Sequence, residues 1–119
     1  MHTINRESKR VPLNIYANKI VDHEPHLTRV RDISPEGVYL YRLLEPEIPT
    51  TKPIGLEIKL PETSNVIWAV GRVVRHDPDE HTNGVAVRFT HIAAADRKLI
   101  EDYIAQRDDS LEEPWVYAA

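Results

Sequence analysis

Ile54-Gly55-Leu56-Glu57-Ile58-Lys59-Leu60 places an apolar residue at every second position without a fault, and only small or charged residues between them. A period of two puts successive side chains on opposite faces of an extended chain, so this stretch reads as a strand with one face buried. The same rhythm extends in both directions. Upstream, Val11, Leu13, Ile15 and Ala17 share one parity within Val11–Asn18, and Leu27–Ile33 and Val38–Leu44 give two further strands. Pro12 has no N–H to donate, which suits a strand's start or an edge. Between the second and third strands, Ser34-Pro35-Glu36-Gly37 has the composition of a tight turn, in which Gly37 is expected to supply a positive φ. Downstream of Pro61–Asn65, a turn, the run Val66–Arg75 is a long fifth strand, with Gly71 marking a bend or a close backbone contact. Val85, Val87 and Phe89 define a sixth, and His76–Gly84, ending in Asn-Gly, joins the last two as a hairpin.

The rhythm changes near Ala93. Leu99, Ile100, Tyr103 and Ile104 form one stripe on a 3.6-residue period, with Asp96 toward the start and Arg107 toward the end, as a helix dipole prefers. No Ser, Thr or Asp stands where the N-cap is expected, among His91-Ile92-Ala93. Six strands followed by one helix predict a mainly β fold, a six-stranded antiparallel barrel or strongly bent sheet, with the helix over an open end or edge. Residues 1–10 form a polar N-terminal arm, 11–107 the barrel with its helix, and 108–119 an acidic tail. That tail ends in Trp115-Val116-Tyr117, an aromatic tip that is either loose or docked.

At 119 residues and 13.7 kDa the chain is one domain's worth, long enough to bury about two-thirds of its surface. It has no Cys, which removes disulfides, thiolate zinc sites and a Cys nucleophile together. No apolar run approaches the ~20 residues of a membrane span, and the polar start MHTINRESKR is unlike a signal peptide, so a cytoplasmic location without membrane insertion is expected. The net charge of −4 arises in the tail, where Asp108, Asp109, Glu112 and Glu113 face no base, while the remainder is balanced. A general nucleic-acid binder needs a cationic excess, and this chain lacks one. The arm is locally positive, however, with Arg6, Lys9 and Arg10 against Glu7. A small anionic partner bound at one place fits that distribution.

Catalytic groupings are not apparent. His76 and His81 stand among Asp77, Asp79 and Glu80 in a polar turn, a spacing that arises readily without a metal. Ser8, Ser34, Ser64 and Ser110 lack a G-x-S-x-G setting, and the turn carboxylates are too exposed for burial to tune them. The sequence presents no catalytic residue, cofactor motif or metal site.

Two short motifs remain. Arg6-Glu7-Ser8-Lys9-Arg10 is an R-x-x-x-R just before the first strand, and Asp32-Ile33-Ser34-Pro35-Glu36-Gly37 is a D-x-S-x-x-G at the end of the second. Either alone is unremarkable, a solvated basic arm or a strand end with side-chain turn bonds. Together, in order, on a β-rich chain that closes with Gly84-Val85-Ala86-Val87-Arg88-Phe89 before a helix, they resemble the PilZ domain family over roughly Arg6 to Gln106.

The resemblance implies a six-stranded barrel with a C-terminal helix and binding of cyclic di-GMP (c-di-GMP), a bacterial second messenger. Arg6 and Arg10 match the family's arginines, and guanidinium forks suit both guanine O6/N7 and phosphate. Asp32 matches the carboxylate that accepts from guanine N1–H and N2–H₂. Ser34 shares its parity and would bond the ligand, and Gly37 would let backbone approach closely. Lys9 would add charge, and Asn5 stands where many members carry a further Arg, so one guanidinium is missing. Trp68 is read as core, the other reading being a surface on which a guanine packs. Arg29 and Arg31 have the opposite parity to Asp32 on a regular strand and are expected to point away from the ligand. The implied function is a non-enzymatic receptor that orders its arm on binding and signals to a downstream protein partner controlling motility, adhesion or exopolysaccharide. It would be a monomer or weak homodimer. The alternative is a PilZ-like interaction module that binds no nucleotide.

Overall fold

The computed structural model describes residues 9–41, 51–77 and 84–118, with side chains described through Arg107. Six strands precede one helix: β1 (Val11–Val21), β2 (Glu24–Ser34), β3 (Gly37–Tyr41), β4 (Ile54–Lys59), β5 (Val66–Asp77), β6 (Gly84–Ile92) and α1 (Ala94–Ala118). All paired strands are antiparallel, and they close into a barrel in the order β1-β2-β3-β6-β5-β4, with β4 returning to β1. The alternation sorts side chains as expected. Ile54, Leu56, Ile58 and Leu60 are fully buried in the barrel interior, with Val30, Ile33, Val38, Leu40, Ile67 and Val73 opposite them.

Strands β1 and β2 run longer than the sequence suggests. Asp22 and His23, at φ 53° and 68°, make a two-residue connection and let Val21 pair with Glu24. Two successive positive φ values are the geometry of the tightest hairpins, usually signalled by Asn-Gly. Asp-His gives no such signal, so the segment does not look like a hairpin in advance. Residues 42–44 of the third expected strand, and the connection at 78–83 with His81, lie outside the described residues. The flanking Asp77 and Gly84 do pair across β5 and β6, as a hairpin requires.

Helix α1 packs on β2 and β5. In the closed order these strands lie diametrically across the barrel, so an element touching both must lie over an end. Ile100, Tyr103 and Ile104 enter the core there, with Leu99 partly buried beside them. Ala93 precedes the helix without a capping side chain. The Asp96 carboxylate instead accepts the backbone N–H of Trp68 at 3.1 Å, tying the first turn to β5. The helix does not stop at Arg107 but continues through the acidic segment to Ala118. No helix among the described residues is long and apolar enough to cross a membrane.

Trp68 is not in the core. It is 54% exposed, because the inward parity of β5 runs through Ile67, Ala69 and Val73. Val66–Val70 is apolar at every position, so pattern alone does not say which set faces in.

Candidate ligand-binding site

The site is built on an irregularity. On β2, Thr28 and Val30 are buried on the inner parity, but the next inward residue is Ile33, three positions on rather than two. The register shifts between Val30 and Asp32 against β3, and between Pro12 and Ile15 on β1, where Asn14 takes φ 55°. Such a bulge adds one residue and re-aims the side chains around it. Arg31 and Asp32 therefore project together from the barrel wall, contrary to the simple parity that turns Arg31 away.

The consequence is a carboxylate held by two arginines. Arg10 Nε donates to Asp32 Oδ1 at 2.8 Å, and Arg31 Nε to Oδ2 at 2.8 Å. Asp32 is only 14% exposed, so these charge-assisted bonds are partly shielded from water. The bond to Asp32 also raises the Arg31 pKa, which keeps the guanidinium charged. Arg10 Nη1 reaches Ser34 Oγ at 3.4 Å. That buried hydroxyl also organises its own turn, accepting the Glu36 N–H at 3.2 Å and lying 3.5 Å from the Gly37 carbonyl. From outside, the Phe89 N–H donates to Glu36 O and Arg97 Nη1 to Pro35 O, both at 2.8 Å. The turn is thus fixed from β6 and from α1.

Gly37 does not have the positive φ expected of it; no glycine among the described residues does. A Cβ added there would overlap the carbonyl oxygen of Val87, with Val87 C at 3.1 Å and Arg88 Cα at 3.2 Å. The glycine is needed for close approach of β3 to β6, not for a left-handed turn. Gly71 has a similar role, at a register shift of β5 where a Cβ would meet Arg88 O at 2.6 Å.

Beyond Asp32 the network continues around the outer wall. The Arg31 guanidinium lies 3.9 Å over the ring of Tyr39, which is 1% exposed although it stands outside the apolar core cluster. Tyr39 OH donates to Asp77 Oδ2 at 2.7 Å, and Arg75 Nε donates to Asp77 Oδ1 at 3.1 Å. Burial, reinforced by the Asp77 bond, pushes the Tyr39 hydroxyl up to about 12, while Arg75 and then Tyr39 hold the Asp77 carboxyl below its ordinary value. Arg10, Arg31, Arg75 and Arg88 line a hollow of about 370 Å³ floored in part by Gly37 and Ala86, where small residues leave room. Its size and charge suit an anion with planar hydrogen-bonding groups.

The structure brings Arg10, Asp32 and Ser34 together and sets Gly37 beneath them; Lys9 is exposed next to Arg10. Arg6 and Asn5 lie outside the described residues. Trp68 lines a different, more apolar hollow with Ile20, Gly55 and Arg97, and neither Arg10 nor Asp32 borders it. Arg31, Tyr39 and Arg75 were not anticipated. The available signal was the Val30-to-Ile33 spacing, which fits a strand only if one residue is extra.

The closed barrel thus carries an arginine-lined hollow on its outer wall, assembled from the first strand's start and the turn after the second. Residues 4–106 match the PilZ domain model, and the chain belongs to the PilZ domain family. Among solved structures, it is similar to the Bacillus subtilis inhibitor of motility (MotI/DgrA), with a TM-score of 0.75 and 20% identity over 93% of this chain and 55% of that one. It is also similar to the Borreliella burgdorferi PlzA protein in complex with c-di-GMP, with a TM-score of 0.59 and 15% identity over 85% of this chain and 41% of that one. The chain therefore spans about half the length of those proteins or less. No curated protein matches it.

Proposed function

We propose that the chain is a non-enzymatic receptor for c-di-GMP, read out by a protein partner in the cytoplasm. The observation that carries this reading is Arg10, aimed by the Asp32 carboxylate and the Ser34 hydroxyl at the mouth of the arginine-lined hollow. Arg10 commits Nε and Nη1 to these partners, which leaves the rest of its five donors for a ligand. Asp32 is held by one bond to each oxygen and keeps acceptor sites for a guanine's N–H groups. Arg31 sits over the Tyr39 ring and lines the hollow. Pre-organised charges of this kind bind an anion without the cost of assembling them. Arg6, four residues before Arg10, and its neighbour Asn5 would complete the clamp, and Lys9 would add charge. The ordering of that arm around the ligand would present a changed surface to the partner. Membership of the PilZ family and the likeness to PlzA, itself crystallised with c-di-GMP, support the ligand.

Titration calorimetry with c-di-GMP tests this. The expected result is saturable binding by the full chain, weakened about 100-fold or more in Arg10→Ala and Asp32→Ala, whose melting curves stay cooperative, since truncating one partner of a charged pair costs about 2–5 kcal/mol. No binding by the unaltered chain, or equal affinity in both variants, would overturn the proposal.

A further inference from the structure

The hollow holds two charged groups that the network above does not use. Arg88 projects from β6 into it and makes no ion pair or side-chain hydrogen bond among the described residues. Glu36, at the turn before β3, also lines it, and its Oε1 is buried with no hydrogen-bond partner. Buried polar groups are rarely left unsatisfied, and the Glu36 oxygen calls for a reason; Arg88 is exposed and meets water instead. An unpaired carboxylate and an unpaired guanidinium share one hollow without satisfying each other. A ligand in the hollow could satisfy the Glu36 oxygen and draw in the neighbouring, uncommitted Arg88 guanidinium.

Their placement narrows what that ligand is. Gly37 pairs with Arg88 across β3 and β6, and the Phe89 N–H bonds the Glu36 carbonyl. Glu36, in the turn just before β3, therefore lies beside Arg88 on β6, about 5 Å away at the backbone. Their floor is Gly37 and Ala86, which leaves space for a flat ring. One heterocycle offers adjacent edges complementary to this pair. Guanine presents O6 and N7 to a guanidinium fork and, next to them, N1–H and N2–H₂ to a carboxylate. Adenine presents an amine where guanine has O6, and would face Arg88 with the wrong polarity. No hydrogen bond holds the Glu36 carboxylate in its present orientation, so turning it toward a ligand loses none.

We propose that Glu36 and Arg88 form a guanine subsite, distinct from the Arg10–Asp32–Ser34 cluster, that grips a second base of the bound messenger. The inference rests on the c-di-GMP reading and adds to it two residues outside the motif positions that matched the family. It also divides labour within the site. Asp32, with one arginine on each oxygen, keeps acceptor capacity for one guanine, while Glu36, whose Oε1 has no hydrogen-bond partner among the described residues, is the carboxylate for the other.

The test is calorimetry on the full chain with c-di-GMP and with cyclic di-IMP, which lacks the N2 amine. Arg88→Ala and Glu36→Ala are each expected to weaken c-di-GMP binding about 10-fold or more, the worth of one good bidentate pair. Glu36→Gln, which keeps the shape, should fall between. Arg72→Ala is the control: Arg72 pairs with Arg88 across β5 and β6 but does not line the hollow, and its loss should change affinity less than about 2-fold. The unaltered chain should prefer c-di-GMP to cyclic di-IMP, and Glu36→Ala should shrink that preference, which a merely structural role would not do. If the unaltered chain binds, Arg10→Ala does not, and the Glu36 and Arg88 variants bind as well as the original or better, the subsite is wrong and the receptor reading stands. If the unaltered chain does not bind at all, both fall.

Discussion

Replacing Gly37 by Ala separates two explanations of a motif glycine. Were a positive φ the reason for glycine, Asn would be the best substitute, since it tolerates that region better than other residues. The φ here is not positive, and the obstacle is the Val87 carbonyl oxygen, which a Cβ would overlap. Relieving the overlap requires β3 and β6 to part by on the order of 1 Å, given normal C···O contacts of ~3.3 Å. Backbone on both sides of the contact cannot rotate away as a long side chain would. Overpacking typically costs about 1–3 kcal/mol, and weakening one adjoining ladder hydrogen bond about 0.5–1.5, so Gly37→Ala should lose roughly 2–4 kcal/mol. Against a total of about 5–15 kcal/mol that is a large share, and it would lower the melting midpoint by roughly 10 °C. Asn, with more atoms to place in the same gap, should be worse than Ala. Urea unfolding of the three proteins is the assay. An Ala variant within about 0.5 kcal/mol of the original, or an Asn variant more stable than Ala, would refute the close-approach account.

Other outcomes follow from the same geometry. The Tyr39 hydroxyl titrates at about 12 in the fold against 10.0 ordinarily, so the folded state holds its proton more tightly. Its contribution is complete below pH ~10 and drains as pH rises toward ~12, on the order of 2 kcal/mol, and Tyr39→Phe should flatten this alkaline limb of stability against pH. Asp77 has the opposite sign: its lowered pKa stabilises the fold above the ordinary carboxyl value, and the benefit is lost as pH falls through the lowered one, so Asp77→Asn should flatten the acid limb. Trp68→Ala should shift the urea midpoint by no more than about 0.5 kcal/mol, because the ring lies outside the core; a loss several times larger would show that it packs against more than the structure gives it. Ile100→Ala, at the fully buried contact of α1 with the barrel, should cost about 2–5 kcal/mol by the same measurement, and an unchanged midpoint would mean that the helix contributes little to the end it covers.

What the sequence disclosed and what it hid divide along a physical line. A strand is legible when alternation is strict, as in Ile54–Leu60, because burial on one face leaves a direct mark on composition. The helix stripe Leu99, Ile100, Tyr103 and Ile104 is legible for the same reason. Backbone departures leave no comparable mark. Asp22-His23 turns a hairpin without glycine, and Asn14 opposes a bulge that shifts everything after it. That bulge decides the site. Arg10, Asp32 and Ser34 could be named from motif spacing, but Arg31 was excluded by a parity that the extra residue cancels. Trp68 failed differently: its neighbours are apolar on both parities, so hydrophobicity could not tell inside from outside. Tyr39 and Asp77 are 38 positions apart, and only the placement of β3 and β5 on either side of β6 makes them partners. Arg88 and Glu36 are conspicuous only in space, where neither has an ionic partner among the described residues.

The return of β4 to β1 has a further consequence. That ladder consists of Asn18 with Glu57, Lys19 with Leu56 and Ile20 with Gly55, fastened outside by the Asn18 amide donating to the Glu57 carboxylate at 3.0 Å. Closure leaves the barrel no edge strand for a visiting peptide to extend, so strand addition is closed to any partner. It also makes the shortest seam a natural place for the wall to unzip. Amide hydrogens along it should exchange ahead of those in the long β1–β2 and β5–β6 hairpins, and a chain caught with the seam ajar would bare two adhesive borders at once.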